Sequence, residues 1–293
     1  MSFPGLGGSR NQKQWNDEQK EPMNFHATSI LSNFDLIKLR SINLRSIKHG
    51  RGWTRYHDFM WEENGAQTLL IDADDTLWEN NVYFERAIAK FISFLDHREY
   101  SPEQVRLVLN DVERESILKH GYGLHSFAHS LVETFEKLSV DPVTPEMHER
   151  IHSFAHQIAD HAIEVISGVP ETLEYLRQKH HLILMTKGHP AEQAGKVERS
   201  GLKDYFSAIE IVAEKDAPTY RSAISKYALS TDVTWMVGNS PKSDINPALA
   251  AGLHAVFVPH GNTWILEHEE LASAPSSQRL LVVDRFADLR EHF

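Results

Sequence analysis

Asp72, Asp74 and Asp75 follow directly on the apolar run Thr68-Leu-Leu-Ile. Two carboxylates two residues apart at the end of such a run can point into one site. Desolvated like charges there need a cation or a shared proton. One of the pair could serve as a nucleophile and the other as an acid–base group. A structural alternative is an acidic turn that caps a helix, since Asp and Thr favour N-caps.

The elements that must position these residues are short apolar runs. They are Thr68–Asp72, Leu182–Thr186, Ile209–Ala213, Thr234–Gly238, Ala255–Pro259 and Leu280–Asp284. They are too short for helices, and nearly continuous apolar strands suit a parallel sheet buried on both faces. Helical patterns separate them. Pro170 and Pro190 each stand at the start of one, and Asn246–Ala251 is stopped by Gly252. This alternation predicts an α/β protein with a doubly wound, Rossmann-like parallel sheet core. In such sheets ligands bind at the carboxyl ends of the strands, where every candidate falls.

One connection is much longer than the rest. Residues 82–167 read as mostly helical: Phe84, Ala87, Ile88, Phe91 and Leu95 recur at helical spacing, and Ser101-Pro-Glu-Gln is a capping box. The expected organisation is therefore a core of residues 60–81 and 168–293 with an inserted helical subdomain, 82–167. Residues 1–59 differ. Their first part is polar and expected to be disordered, and residues 30–51 form a basic, partly amphipathic segment. An equally good reading is an extension ahead of a true start at Met60.

The motif residues closely resemble the haloacid dehalogenase superfamily. Asp72-Ala-Asp-Asp-Thr-Leu77 matches its first motif, Asp-x-Asp-x-Thr-Leu, in full. Thr186 fits the second motif and Lys215 the third. Gly238-Asn-Ser-Pro-Lys-Ser-Asp244 fits the fourth with one departure, Asn239 where Asp is common. The resemblance covers roughly residues 67–290. It implies that the helical insert is a type-1 cap, which closes over the site and selects substrate. It also implies a phosphatase in which Asp72 attacks phosphorus, Asp74 protonates the leaving oxygen and then activates water, Thr186 holds a phosphoryl oxygen, and Lys215 neutralises charge. Mg²⁺ would be held by Asp72, the backbone carbonyl of Asp74, Asn239 and Asp244, and hard oxygen donors suit that ion. Asp74 disfavours a carbon–halogen dehalogenase, which has no leaving oxygen to protonate. A phosphotransferase or mutase would keep all four motifs. The neutral Asn239 also motivates a weakened module that binds Mg²⁺ or phosphate without turnover.

Expected substrate contacts are Glu79 and Asn80 after the first motif, and Lys187 and Gly188 beside Thr186. The substrate would be a small phosphorylated metabolite. Gly121-Tyr-Gly123 reads either as a backbone approach to ligand or as a plain turn. His125 and His129 have a metal-like spacing but no third partner. Glu267-His-Glu-Glu reads as a solvated helix face, and Trp264 as packing. The net charge of −11 makes a nucleic-acid partner unexpected. No run is long enough for a membrane span, and no signal peptide is evident. With no cysteine in the chain, a cytoplasmic location is expected.

Overall fold

The computed structural model describes residues 65–95, 99–139 and 142–293. The expectations for residues 1–59 lie outside them. Six strands form one all-parallel sheet: β1 (Thr68–Ile71), β2 (His181–Lys187), β3 (Ala208–Val212), β4 (Thr234–Gly238), β5 (His254–Phe257) and β6 (Leu280–Val282). Their spatial order is β3-β2-β1-β4-β5-β6. The chain winds outward from β1 through β2 to β3, then returns to the other side of β1 as β4. The crevice where the winding reverses therefore opens between β1 and β4, which pair from Thr68 with Thr234 to Ile71 with Val237.

Both faces of the sheet are covered, which explains the unbroken apolar strands. On one face, Leu69, Ile71, Leu184 and Val237 pack against Val169, Leu173 and Leu176 of α5 (Val169–Arg177) and Val197 of α6 (Pro190–Ser200). On the other, Leu70, Ile183 and Met236 pack against Tyr220 and Ala223 of α7 (Ala217–Lys226) and Ala248 of α8 (Asn246–Ala250). Proline near the start of each of these helices costs no hydrogen bond, since the first N–H groups have no helical acceptor.

Four helices lie between β1 and α5: α1 (Asn81–Phe94), α2 (Pro102–His120), α3 (Leu124–Leu138) and α4 (Pro145–Ala159). They build an apolar cluster of their own around Phe91, Leu109, Leu131 and Ile151, all fully buried. Ser101 and Gln104 form the capping box of α2. The outgoing and returning chains cross side by side, with Glu79 N–H donating to Glu164 O and Ile166 N–H to Leu77 O. The fully buried Trp78 fills this neck.

Pro241–Ile245 forms a single π-type turn ahead of α8, a device that often marks functional positions. One segment differs from the sequence reading. The stretch after Trp264 is one short 3₁₀ turn, Ile265–Glu267, rather than a solvated helix, and Glu267 is buried. No helix among the described residues is long and apolar enough to cross a membrane.

Gly238 closes β4 where the π-type turn folds back over it. A Cβ there would lie 2.2 Å from Asp244 Oδ2 and 2.4 Å from its Cγ. Gly238→Ala is expected to displace Asp244 and to destabilise the fold by about 1–3 kcal/mol. Thermal unfolding measures the loss, and an unchanged midpoint would show that the turn relaxes freely.

Candidate active site

Asp72 is the first residue beyond β1, and its N–H continues the ladder to Val237 O. Both carboxylate oxygens are engaged. Oδ1 accepts from Lys215 Nζ at 2.5 Å and Oδ2 from Thr76 Oγ1 at 3.0 Å. Lys215 also donates to Asp244 Oδ1 at 2.7 Å. All three groups are buried. Two carboxylates thus share one ammonium out of water. Burial first, then repulsion from Asp244, pushes the Asp72 carboxyl up to about 7 against the opposing pull of Lys215. Asp244 Oδ2 is held by the backbone N–H of Ser240, which fixes the carboxylate at the end of β4.

Asn239 follows Gly238. Its Nδ2 donates to Thr263 Oγ1 at 3.0 Å, and that hydroxyl donates in turn to His260 O. Thr263 can therefore only accept from Asn239, which sets the amide orientation. The Oδ1 atom faces the site, 3.3 Å from Thr76 Oγ1. Asp75 adopts the left-handed region, with φ 61. Aspartate tolerates that conformation. Its carboxylate accepts from the N–H groups of Asn80 and Asn81 at the start of α1, which ties the motif loop to the helical insert.

Thr186 closes the apolar part of β2 and is buried, its Oγ1 3.4 Å from Gln193 Oε1. Gln193 and Lys196, both on α6, reach Asp74: Gln193 Nε2 at 2.9 Å, and Lys196 Nζ at 2.8 and 3.0 Å from the two oxygens. Trp78 Nε1 donates to the same carboxylate at 2.7 Å. Burial raises the Asp74 pKa, but Lys196 and the other donors outweigh it and hold the carboxyl below its usual range. The deciding charges come from α6, far along the chain.

A cavity of about 160 Å³ lies between the strand ends and the insert. Asp72, Asp74, Thr186, Lys215, Asn239 and Asp244 line it from the sheet side. Phe84, Ile88, Glu113, Ser126, Phe127 and Ser130 line it from the insert. Of the expected substrate contacts, Asn80, Lys187 and Gly188 reach the wall. Asn80 Oδ1 is taken by Lys196 at 2.7 Å. Lys187 is committed to Glu267 at 2.6 Å and Ser243 at 2.7 Å, with Tyr122 OH at 3.1 Å, so its ammonium is already matched. Glu79 is not among the lining residues. Its carboxylate turns to His260 Nε2 at 3.3 Å, because the neck pairing fixes its backbone against Glu164.

Sequence reasoning missed Gln193, Lys196, Ser240, Ser243, Glu267 and Glu113. The first two sit one turn apart or less on the site-facing start of α6, a signal available only once α6 was placed beside Asp74. Glu267 was set aside as solvated, yet it pairs with Lys187 across the site. Gly123 supports docking of the insert: a Cβ there would meet the Glu192 carboxylate at 3.0 Å, and that carboxylate accepts from Leu124 N–H. Trp264 lines the cavity beside Tyr122. Among the described residues, Asp75, Glu79 and His260 form the one trio with metal-ligand spacing. His125 and His129 belong to no such group.

Comparison with known proteins identifies the same region. The profile of the family described as haloacid dehalogenase-like hydrolase matches residues 69–258. A haloacid dehalogenase-like family hydrolase from Xanthomonas campestris is similar in structure, with 29% identity and a TM-score of 0.65 over 78% of this chain and 94% of that one. The L-2-haloacid dehalogenase of Xanthobacter autotrophicus shares the fold, at 16% identity and a TM-score of 0.53, with 77% of this chain and 97% of that one covered. A phosphoserine phosphatase of Thermus thermophilus is 31% identical over 117 residues. That match covers 38% of this chain and 43% of the relative, so the chain spans less than half of that relative's length.

Glu113 is buried, and burial pushes its carboxyl up from 4.5 to about 7. Between those values the folded chain binds a proton that the unfolded chain does not, so stability falls as pH rises through that window. Glu113→Gln removes this loss. Without substrate, the variant is expected to match the wild type near pH ~4.5 and to be more stable by about 1–3 kcal/mol near pH ~8. Thermal unfolding across pH reads the gap, and a pH-independent difference would contradict it.

Proposed function

The chain belongs to the haloacid dehalogenase-like hydrolase family, and from that premise we propose that it is a Mg²⁺-dependent phosphatase acting on a small phosphomonoester. The observation that carries this reading is Asp74 beside Asp72 at the mouth of the cavity. A second carboxylate has a task only when a leaving oxygen must gain a proton and water must lose one. The likeness to the phosphoserine phosphatase points the same way. The dehalogenases share the fold at identities too low to carry their activity here.

The residues present fit a divalent cation. Asp72 and Asp244 leave one negative charge unmatched by Lys215, and Asn239 turns an amide oxygen toward them. Asp72, the Asp74 carbonyl, Asn239 and Asp244 would hold Mg²⁺. The ion would supply charge neutralisation for the phosphoryl group and keep Asp72 ionised.

In this mechanism the ionised Asp72 oxygen attacks phosphorus in line, forming an aspartyl-phosphate while the ester oxygen departs. Lys215 balances charge on the nucleophile and phosphoryl oxygens, and the Thr186 hydroxyl donates to one of them. Asp74 gives the departing oxygen its proton, then takes one from the water that cleaves the intermediate. Its first role needs a protonated carboxyl, so Lys196 must withdraw from Asp74 as the substrate enters. The helical insert acts as a cap that excludes water while the intermediate persists.

Phosphate release from a panel of phosphomonoesters tests the reading. Turnover should require Mg²⁺, stop with EDTA, and fall by about 10³-fold or more in Asp72→Asn. Folded protein that binds Mg²⁺ and releases no phosphate from any ester would overturn it. Lys196→Met should raise the Asp74 pKa and move the limbs of the kcat–pH profile that report Asp74 to higher pH. An unmoved profile would separate Lys196 from the acid–base step.

A further inference from the structure

Glu113 stands in the cavity wall on α2, and only 5% of its surface is exposed. Its Oε2 atom is buried with no hydrogen-bond partner. The cations near it are committed elsewhere. Arg106 makes a two-pronged pair with Glu85 at 2.8 and 2.9 Å, and Arg114 pairs with Asp111 at 2.6 Å. A buried carboxyl group without a partner is costly, because it has given up water and gained nothing in exchange.

The surroundings of Glu113 are polar on the side that faces α3. Ser116 and Ser126 meet at 3.0 Å across the two antiparallel helices. Ser130, one turn beyond Ser126, donates its hydroxyl to Ser126 O at 2.9 Å. Ser126 and Ser130 line the cavity with Glu113. Around them the wall is apolar, formed by Phe84, Ile88, Ile117 and Phe127. A small polar patch centred on a carboxyl therefore lies in an otherwise apolar part of the insert, within the cavity that Asp72 lines from below.

We propose that Glu113 is the specificity-determining residue of the site and selects phosphomonoesters whose leaving group carries a primary ammonium. This inference rests on the phosphatase reading above and names its substrate class. Charge favours an ammonium over a neutral donor. The cavity wall carries seven Asp and Glu side chains against three lysines, and the lysines are bound to carboxylates other than Glu113. An ammonium brings both the charge and the hydrogen bond that the Glu113 carboxylate lacks. A leaving group with an anionic end would meet an acidic wall. Size limits the class further: a cavity of about 160 Å³ is of the order of one that admits benzene, so the leaving group holds only a few heavy atoms beyond the phosphoryl group.

The test compares 2-aminoethyl phosphate, 2-hydroxyethyl phosphate and propyl phosphate, which are nearly equal in size, as substrates with Mg²⁺. Wild-type kcat/KM should favour the amine over the propyl ester by about tenfold or more, as expected for a charge-assisted hydrogen bond. Glu113→Gln should erase that preference, bringing the amine and propyl esters to within about twofold of each other. Equal wild-type values for the amine and propyl esters would overturn the proposal, and so would a preference that survives in Glu113→Gln. The wild-type series needs no variant and remains decisive if Glu113→Gln fails to fold. Should neither these esters nor p-nitrophenyl phosphate be hydrolysed, the phosphatase reading fails, and binding alone decides the role of Glu113. Calorimetry with 2-aminoethyl phosphate would then show a Kd about tenfold weaker in Glu113→Gln, whereas equal affinities would overturn the assignment.

Discussion

Lys215 places one positive charge between two buried carboxylates, Asp72 and Asp244, at the ends of neighbouring strands. Much of the site is arranged around this unequal match. Taking charges out of water is expensive, and one ammonium cannot offset two carboxylates held at hydrogen-bonding distance. The excess is tolerated because each carboxylate is pinned by other donors: Thr76 on Asp72, and the backbone of Ser240 on Asp244. What remains is a concentrated negative site at the crevice between β1 and β4. It is suited to a divalent cation and, through it, to an anionic phosphoryl group.

The same arrangement explains why the π-type turn after β4 cannot be an ordinary helix start. Asp244 must come back beside Lys215, directly over Gly238, and only a glycine leaves room for it. Packing and electrostatics are coupled here. The absence of a side chain at one position lets a charge approach at another, and that charge in turn holds Lys215 beside Asp72.

The insert meets the core through polar contacts around the cavity rim rather than through a shared apolar core. Tyr122 reaches Glu214 and Lys187, and the start of α3 docks on Glu192. Its own apolar cluster is separate from those on the two faces of the sheet. Such an interface fixes the insert on the core at a few polar points and leaves its apolar cluster separate. The cost is a set of polar groups inside the insert, among them Asn110, Glu113 and Thr134, each with a buried atom that finds no partner.

The parallel sheet, its strand ends and the order of the motif residues were legible in the chain itself, because strands buried on both faces must be continuously apolar. That Asp72, Thr186, Lys215, Asn239 and Asp244 would meet in one place could be read from the motif resemblance and the strand ends, and all five line the cavity. Caps and prolines marked α2, α5 and α6 for a similarly local reason. The tertiary structure decided everything that depends on groups distant in sequence. Lys196 and Gln193 ionise Asp74 from another helix, Glu267 takes up Lys187, and the neck turns Glu79 away toward His260. Local pattern determines where the backbone goes, whereas the charge state of a buried group is a sum over neighbours that only the folded chain brings together.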